Sequence, residues 1–361
     1  MAGGLLNNVA IVGVARAVPE AVRTVEDEGK IFGDAEIRRI AKNLGVDSRR
    51  VAGDRICASD LCTVSAVKLL DALDWDRSSV DAVIFVSVTP DYVMPATACT
   101  LQHRLGLSTS CAAFDITHAC SGYIYGLWTA AHFIASGHAR RVLLLAGDTP
   151  SRLVSPEDRA VAALFGDAGT ATALEWSEAA QPMGFDLGTD GSGAANLIVK
   201  AGGFRTPRTA DTAVRREQEG GNIRSEEDLY MNGTEVFAFT LREVPALNRR
   251  VLARAGWELD SVDAWVMHQA NAFILKYLAK SMKLPADKVV LDMAEYGNTS
   301  VATMPMVMAG ALRARLVEGP LRLVLLGFGT GLSWGGASLT CGPLVIPELI
   351  TVSEKILDAT A

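Results

Sequence analysis

Apolar residues fall along this chain in two alternating patterns. Short runs with little polar interruption, VAIVGVA (9–15), DAVIFVSV (81–88) and RRVLLLAGD (140–148), predict strands buried on both faces. Longer stretches between them, TVSAVKLLDALDW (63–75) and GYIYGLWTAAHFIASG (122–137), predict helices. The alternation predicts an α/β architecture. It also occurs twice. VDAVIFVSVTPD (80–91) is matched by VDAWVMHQANA (262–272), and AFDITHACSGYIYGLWTAAHFIASGHARRVLLLAGD (113–148) by VVLDMAEYGNTSVATMPMVMAGALRARLVEGPLRLVLLGFG (289–329). In both members a strand ends in a small-residue turn, an apolar helix follows, and a second strand reads VLLLAG or LVLLGFG. Cys120 and Asn298 hold equivalent places at the two turns. Several matched blocks in one order predict two duplicated halves, residues 1–180 and 181–361, rather than a short-period solenoid.

One stretch breaks the pattern. Residues 201–228, AGGFRTPRTADTAVRREQEGGNIRSEED, carry arginines at 205, 208, 215, 216 and 224 among many acids and predict a polar surface excursion from the second half.

Composition narrows the class. A chain of 361 residues with 49% hydrophobic content can bury a large core. A net charge of −7 offers no broad basic field for a phosphate backbone, so no nucleic-acid partner is expected. No apolar run approaches the roughly 18 residues of a membrane span, and the start MAGGLLNNVAIVGVA lacks a basic leader, so neither membrane insertion nor export is expected. The six cysteines (57, 62, 99, 111, 120, 341) form no CxxC pair, which suggests reduced thiols in a cytoplasmic protein without a metal or a disulfide framework.

The candidate chemistry centres on THACSGY. Cys120 sits among alanine, serine and glycine just before an apolar helix, where helix N–H groups favour a thiolate. The other five cysteines lie within or beside apolar runs and read as packing residues. Among five histidines only His268 ends a strand, AWVMH, and enters a polar step, QAN; His118 shares a strand face with Cys120 but reads as structural. Asn298 offers an amide that can donate to an oxyanion and cannot titrate. GFGTG (327–331) precedes a strand rather than a helix, so it is not a dinucleotide fingerprint, and no GxSxG elbow is present.

THACSGY, FGDAG, VMHQAN, YGNTS and GFGTGLSWGGASL, in this order from about residue 9 to residue 341, resemble the β-ketoacyl-acyl carrier protein synthase III family of thiolase-fold condensing enzymes. The resemblance implies a five-layer fold of two duplicated α/β halves and a Cys-His-Asn triad at Cys120, His268 and Asn298. It further implies an oxyanion hole from the backbone N–H groups of Cys120 and Thr330, and a substrate pocket touching Met94, Asn271 and Phe273, with Met94 reaching across a homodimer interface. Cys120 would be acylated by an acyl-CoA or acyl carrier protein thioester, and a malonyl thioester would then condense with loss of CO2. No metal or redox cofactor is implied, coenzyme A or phosphopantetheine serving as the substrate's carrier. The same triad could transfer acyl groups to oxygen or nitrogen, or condense two acyl thioesters without decarboxylation, in a specialised pathway. A Cys-His-Asn set could also hydrolyse amides, against which the HQAN context argues. Asn43-Leu44-Gly45 stands where the family has Arg-Thr-Gly, and Phe273 where it has arginine. The arginines of 201–228 are candidates for the missing contacts.

Overall fold

The computed structural model describes residues 2–354; residue 1 and residues 355–361, the outer ends of the two expected halves, lie outside the described residues. The principal strands, numbered in chain order, are β1 (Ala2–Leu6), β2 (Val9–Pro19), β3 (Ala82–Val86), β4 (Ala112–Ile116), β5 (Arg141–Asp148), β6 (Ala168–Trp176), β7 (Met183–Thr189), β8 (Ala264–Met267), β9 (Leu321–Gly329), β10 (Ser333–Cys341) and β11 (Ile350–Val352). The helices that shape the site are α1 (Asp34–Leu44), α2 (Ala58–Ala72), α3 (Gly122–Ala135), α4 (Gly233–Ala255), α5 (Ala272–Ser281) and α6 (Thr303–Ala309).

The strands form a six-stranded sheet, β11-β2-β6-β5-β3-β4, and a five-stranded sheet, β1-β7-β10-β9-β8. Within them β2-β6-β5-β3 and β7-β10-β9-β8 repeat one pairing scheme, antiparallel, antiparallel, then parallel. The counterpart of β4 is reduced to a single parallel bridge between Trp265 and Val289. The chain ends cross over. β1 pairs with β7 in the second sheet, with Leu5 opposite Gly184, while β11 runs parallel to β2 in the first, with Ile350 opposite Ala17.

Successive side chains of a strand point to opposite faces, and here both faces are covered. Ile84 and Leu144 enter a central core with Val266 and Leu325 of the other sheet, and α3 and α6 lie between through Tyr123, Leu127, Met304 and Val307. Their neighbours Val83, Phe85, Leu143 and Leu145 face outward onto Leu69 and Leu70 of α2. On the far side Trp265, Val324 and Leu326 pack under Val244 and Leu247 of α4 and Leu275 of α5. The result is five layers, α/β/α/β/α. This explains the uninterrupted apolar strands and the nearly all-apolar α3, which is buried from both sides.

The excursion folds outside both sheets, with Arg216–Glu217 paired against Ile223–Arg224. Cys62, Cys111 and Cys341 are buried as packing residues, but Cys99 is exposed and Cys57 half-buried, because their positions at the edge of the outer helical layer have no further layer above them. Among the described residues, no helix is long and apolar enough to cross a membrane, and no group of His, Cys, Asp and Glu could hold a metal ion.

Candidate active site

The repeated β-turn-α unit carries Cys120 just before α3 and Asn298 just before the Ser300–Ala302 turn that leads into α6. His268 directly follows β8. All three line one narrow cavity of about 100 Å3, together with Phe165, Asn271, Phe328 and Gly329.

Cys120 is 7% exposed. Gly329, the last residue of β9, presses on it so closely that a Cβ there would lie 2.5 Å from the cysteine Cβ and 2.9 Å from its sulfur. Against burial, the backbone N–H groups of Thr330 and Cys120 and the Ser300 side chain pull the thiol pKa down. The Thr330 and Cys120 N–H groups are the pair that the resemblance assigns to an oxyanion hole. The thiol nevertheless departs from the sequence expectation. Burial first, and the Asp148 carboxylate second, push its pKa up to about 12 against the pull of those donors. Desolvation of a sulfur enclosed by Gly329 and the cavity walls outweighs a helix N-terminus.

His268 is buried, with Nδ1 2.8 Å from the Thr303 hydroxyl. Burial lowers its pKa to about 3, so it is neutral at physiological pH. Phe328 meets the ring edge-on at 5.6 Å. Asn298 is held by its backbone N–H donating to the Leu164 carbonyl at 2.9 Å, and its Oδ1 accepts from the Ser300 N–H at 2.9 Å. With Oδ1 engaged, the Nδ2 donors are the part of the carboxamide available to a ligand. Gly297 makes this turn possible, since its φ of 65° is left-handed and a Cβ would collide with the Leu164 carbonyl.

A second cavity, of about 520 Å3, also reaches Cys120. Its walls are mainly apolar, among them Val88, Leu153, Phe165, Leu197 and Leu229, with Ser300 and Thr330 beside the sulfur. Ala201, Gly202, Gly203 and Arg208 of the excursion complete its lining. The excursion therefore does stand at the site. Its arginines, however, are largely spent on acids: Arg208 pairs with Glu227 and Arg215 with Asp228, each at 3.4 Å, Arg224 with Asp158 at 3.0 Å, and Arg216 with Asp211.

The remaining pocket residues divide. Asn271 lines the narrow cavity and caps α5, its side chain accepting from the Ile274 N–H at 2.8 Å. Phe273 does not line either cavity. Asn271 and Ile274, three apart, share the cavity face, and Phe273 turns off it to join an exposed aromatic cluster with Phe237 and Tyr277. Met94 is 85% exposed and lines neither of the two cavities at Cys120. His118 stacks on Tyr125 at 4.3 Å and contacts Ser121, away from the reacting groups. Sequence reasoning missed Asp148, Ser300 and Thr303. The signal was a charge closing an apolar strand, VLLLAGD, and hydroxyls on both sides of the second turn.

Comparison with known proteins identifies the family. Residues 114–191 match the family 3-oxoacyl-[acyl-carrier-protein (ACP)] synthase III, and residues 252–341 match its C-terminal family. A beta-ketoacyl-[acyl-carrier-protein] synthase III of Desulfitobacterium hafniense is 36% identical over 332 residues, which span 91% of this chain and 97% of that protein. The crystal structure of a 3-oxoacyl-(acyl-carrier protein) synthase from Burkholderia xenovorans superposes with a TM-score of 0.92 at 44% identity, covering 97% of this chain and 99% of the other. That of a 3-oxoacyl-(acyl carrier protein) synthase III from Pseudomonas aeruginosa gives 0.80 at 33% identity, over 94% and 100%. With matches of this breadth, on a chain that carries the same duplicated layers, the protein belongs to the 3-oxoacyl-[acyl-carrier-protein] synthase III family, the acyl-transferring condensing enzymes of thiolase fold.

Proposed function

We propose that Cys120 accepts the acyl group of an acyl thioester, and that a malonyl thioester decarboxylated beside His268 and Asn298 then attacks the acyl-Cys carbonyl to give a 3-oxoacyl product. One observation carries this reading: Cys120 is the point at which two cavities meet, a roomy one and a narrow one that also holds His268 and Asn298. The roomy apolar cavity suits an acyl chain. The narrow one, with His268 and Asn298, suits the end of an extended thioester arm.

In the first half-reaction the Cys120 sulfur adds to the thioester carbonyl, and the carrier thiolate leaves. The oxyanion formed on the way lies against the Thr330 and Cys120 N–H groups, each worth roughly 3 to 4 kcal/mol in comparable sites. In the second, loss of CO2 from the malonyl group leaves an enolate whose oxygen needs donors. Asn298 offers its Nδ2–H. His268, neutral, lies with Nδ1 2.8 Å from the Thr303 hydroxyl, which itself donates to the Ser300 carbonyl at 3.0 Å, and it offers an Nε2–H when that hydroxyl turns from the carbonyl to Nδ1. The carbanion attacks the acyl-Cys carbonyl, a carbon–carbon bond forms, and the Cys120 sulfur is expelled. No step calls on a metal or a redox cofactor. This is the chemistry that starts fatty acid chains, and the reading includes a cytoplasmic protein.

Carrier recognition rests on different cations from those the sequence suggested. Gly45, the C-cap of α1, packs on Ala272 at the start of α5, with space for a Cβ only 2.5 Å from the alanine Cβ. Arg38, Arg39 and Lys42 of α1 and Lys276 and Lys280 of α5 are exposed on these two helices, beside Asn43 and Phe273. Cations on this rim suit coenzyme A phosphates or an acidic carrier protein better than the paired arginines of the excursion. The contiguous exposed side chains of Tyr92, Val93 and Met94, at 61%, 85% and 85%, support a homodimer in which this loop is covered by a second copy.

The test is intact-protein mass spectrometry after incubation with a panel of acyl-CoA and acyl carrier protein thioesters, followed by malonyl thioester. An acyl adduct on Cys120 that malonyl thioester discharges as a 3-oxoacyl product supports the reading. Discharge without malonyl thioester, onto an alcohol or an amine, would favour simple acyl transfer.

A further inference from the structure

Two serine hydroxyls lie between the turn that carries Cys120 and the glycine-rich turn that carries Thr330, and the chemistry above gives neither a task. Ser121 directly precedes α3 and Ser333 opens β10, and both are buried, at 1% and 0% exposure. Their hydroxyl oxygens meet at 2.7 Å. Ser333 Oγ also lies 2.7 Å from the Thr330 carbonyl oxygen, and Ser121 Oγ lies 3.3 Å from Nδ1 of His118. The backbones of the two turns approach just as closely. A Cβ on Gly327 of β9 would stand 3.0 Å from the Ser121 Cα, and one on Gly329 would stand 2.5 Å from the Cys120 Cβ.

Proton counting gives this chain of contacts a single direction. A carbonyl cannot donate, so the Ser333 hydroxyl donates to the Thr330 carbonyl. Its one proton is then used, and the proton between the two serines is that of Ser121. Ser121 in turn has no proton left for His118, so Nδ1 of the ring carries one and donates it. The order runs from His118 to Ser121, from Ser121 to Ser333 and from Ser333 to Thr330, and hydrogen bonds in such a row polarise one another. Both ends of the row are anchored. His118 stacks on Tyr125, whose hydroxyl donates to the Gly188 carbonyl at 3.0 Å. The Thr330 hydroxyl donates to the Leu197 carbonyl at 3.0 Å, and Leu332 exchanges backbone hydrogen bonds with Asp190 at 2.8 and 3.0 Å.

We propose that Ser121 and Ser333, directed by His118, are positioning residues that set the spacing between the Cys120 and Thr330 N–H groups. The proposal rests on the reading above, in which those two groups receive the oxyanion. One of them follows β4 and the other follows β9, strands of different sheets, so no single element fixes their separation. A hydroxyl pair that bridges the two turns does. An oxyanion forms there in two steps, when Cys120 adds to the acyl thioester and when the carbanion attacks the acyl-Cys carbonyl. Decarboxylation of the malonyl group draws instead on His268 and Asn298. Loss of the pair therefore slows two steps and spares the third.

The experiment follows two rates in the parent and in Ser121→Ala, Ser333→Ala, Ser333→Thr, His118→Asn and His118→Leu. One is acyl loading by mass spectrometry, with an acyl-CoA that acylates the parent, and the other is CO2 release from malonyl thioester by the unacylated enzyme. Both alanine variants should load roughly tenfold or more slowly at saturating thioester with half-saturation unchanged, since a donor displaced by about 1 Å suffices for that. Their CO2 release should stay within about twofold of the parent. Ser333→Thr keeps the hydroxyl, suits the first residue of a strand and should recover most of the loading rate. His118→Asn, which can place an N–H where Nδ1–H stands, should load faster than His118→Leu. Parental loading by Ser333→Ala overturns the proposal, as does an equal fall in loading and CO2 release, the mark of a general loss of structure. A His118→Asn rate no higher than that of His118→Leu overturns the direction assigned from His118. If one alanine variant does not fold, the other decides. An absence of adduct in the parent would instead overturn the assignment of Cys120.

Discussion

At Ala119–Ser121 the turn before α3 carries a thiol, and at Gly297–Thr299 the turn before α6 carries a carboxamide. Both follow the same β-turn-α plan, yet their surroundings differ. The first is pressed by Gly329, so its sulfur is enclosed where the two cavities meet. The second is bent by a left-handed Gly297 and a strained Ser300, and its amide oxygen is tied to the backbone so that its nitrogen is free to donate. Duplication supplied two equivalent turns. On the reading proposed above, the specialisation of one as acceptor of the acyl group and the other as donor to an enolate lies in single side chains.

The sharpest way to break that comparison is to remove one turn's chemistry and look for the other's. Asn298→Ala and His268→Ala should each lose condensation and malonyl decarboxylation by roughly a hundredfold or more while Cys120 still acquires the acyl group. Stopped assays with and without malonyl thioester check this, and equal loss of both half-reactions would contradict it. Next in size, Gly329→Ala should slow loading, because its Cβ occupies the space of the Cys120 side chain, and should cost about 1 to 3 kcal/mol of stability by overpacking. Loading rate and chemical unfolding read the two effects.

Smaller changes probe the cavities. Leu229→Trp would fill part of the larger cavity and should shift selectivity toward short acyl chains by about tenfold in kcat/KM, leaving malonyl decarboxylation unaffected. Charge at the rim should matter least. Lys276→Ala with Lys280→Ala should raise KM for a carrier-protein thioester a few-fold at low salt, whereas Arg208→Ala and Arg216→Ala should not, their charges being matched by Glu227 and Asp211. The acid limb has a defined sign. His268 has a folded pKa of about 3 against an unfolded value near 6.5, so the unfolded state binds the extra proton first. Its contribution to stability is present above pH 6.5 and is lost as pH falls toward 3, a dependence that His268→Asn would remove and thermal unfolding against pH would show.

Much of this was legible in the residues. Period-2 burial on both sheet faces made the strands read as unbroken apolar runs, and the matched blocks around Cys120 and Asn298 gave the duplication and the two turns. What escaped reading depends on distance through space. That Asp148 lies behind Cys120 needs β5 placed beside β3, whose loop supplies three of its donors. The raised thiol pKa needs the closeness of Gly329, which no local pattern records. The arginines of 201–228 counted as free cations only while their partners Glu227, Asp228, Asp211 and Asp158 were unplaced. Phe273 was misplaced for a local reason, a single step around the first turn of α5.

The central claim is that one sulfur serves both cavities in sequence. Its most direct measurement is peptide-resolved mass spectrometry of the enzyme loaded with an acyl thioester and then chased with malonyl thioester, alongside Cys120→Ala. The account predicts one acyl group per chain on Cys120, its discharge as a 3-oxoacyl thioester with release of CO2, and no loading in the variant. An adduct on another cysteine, or full loading of Cys120→Ala, would contradict it.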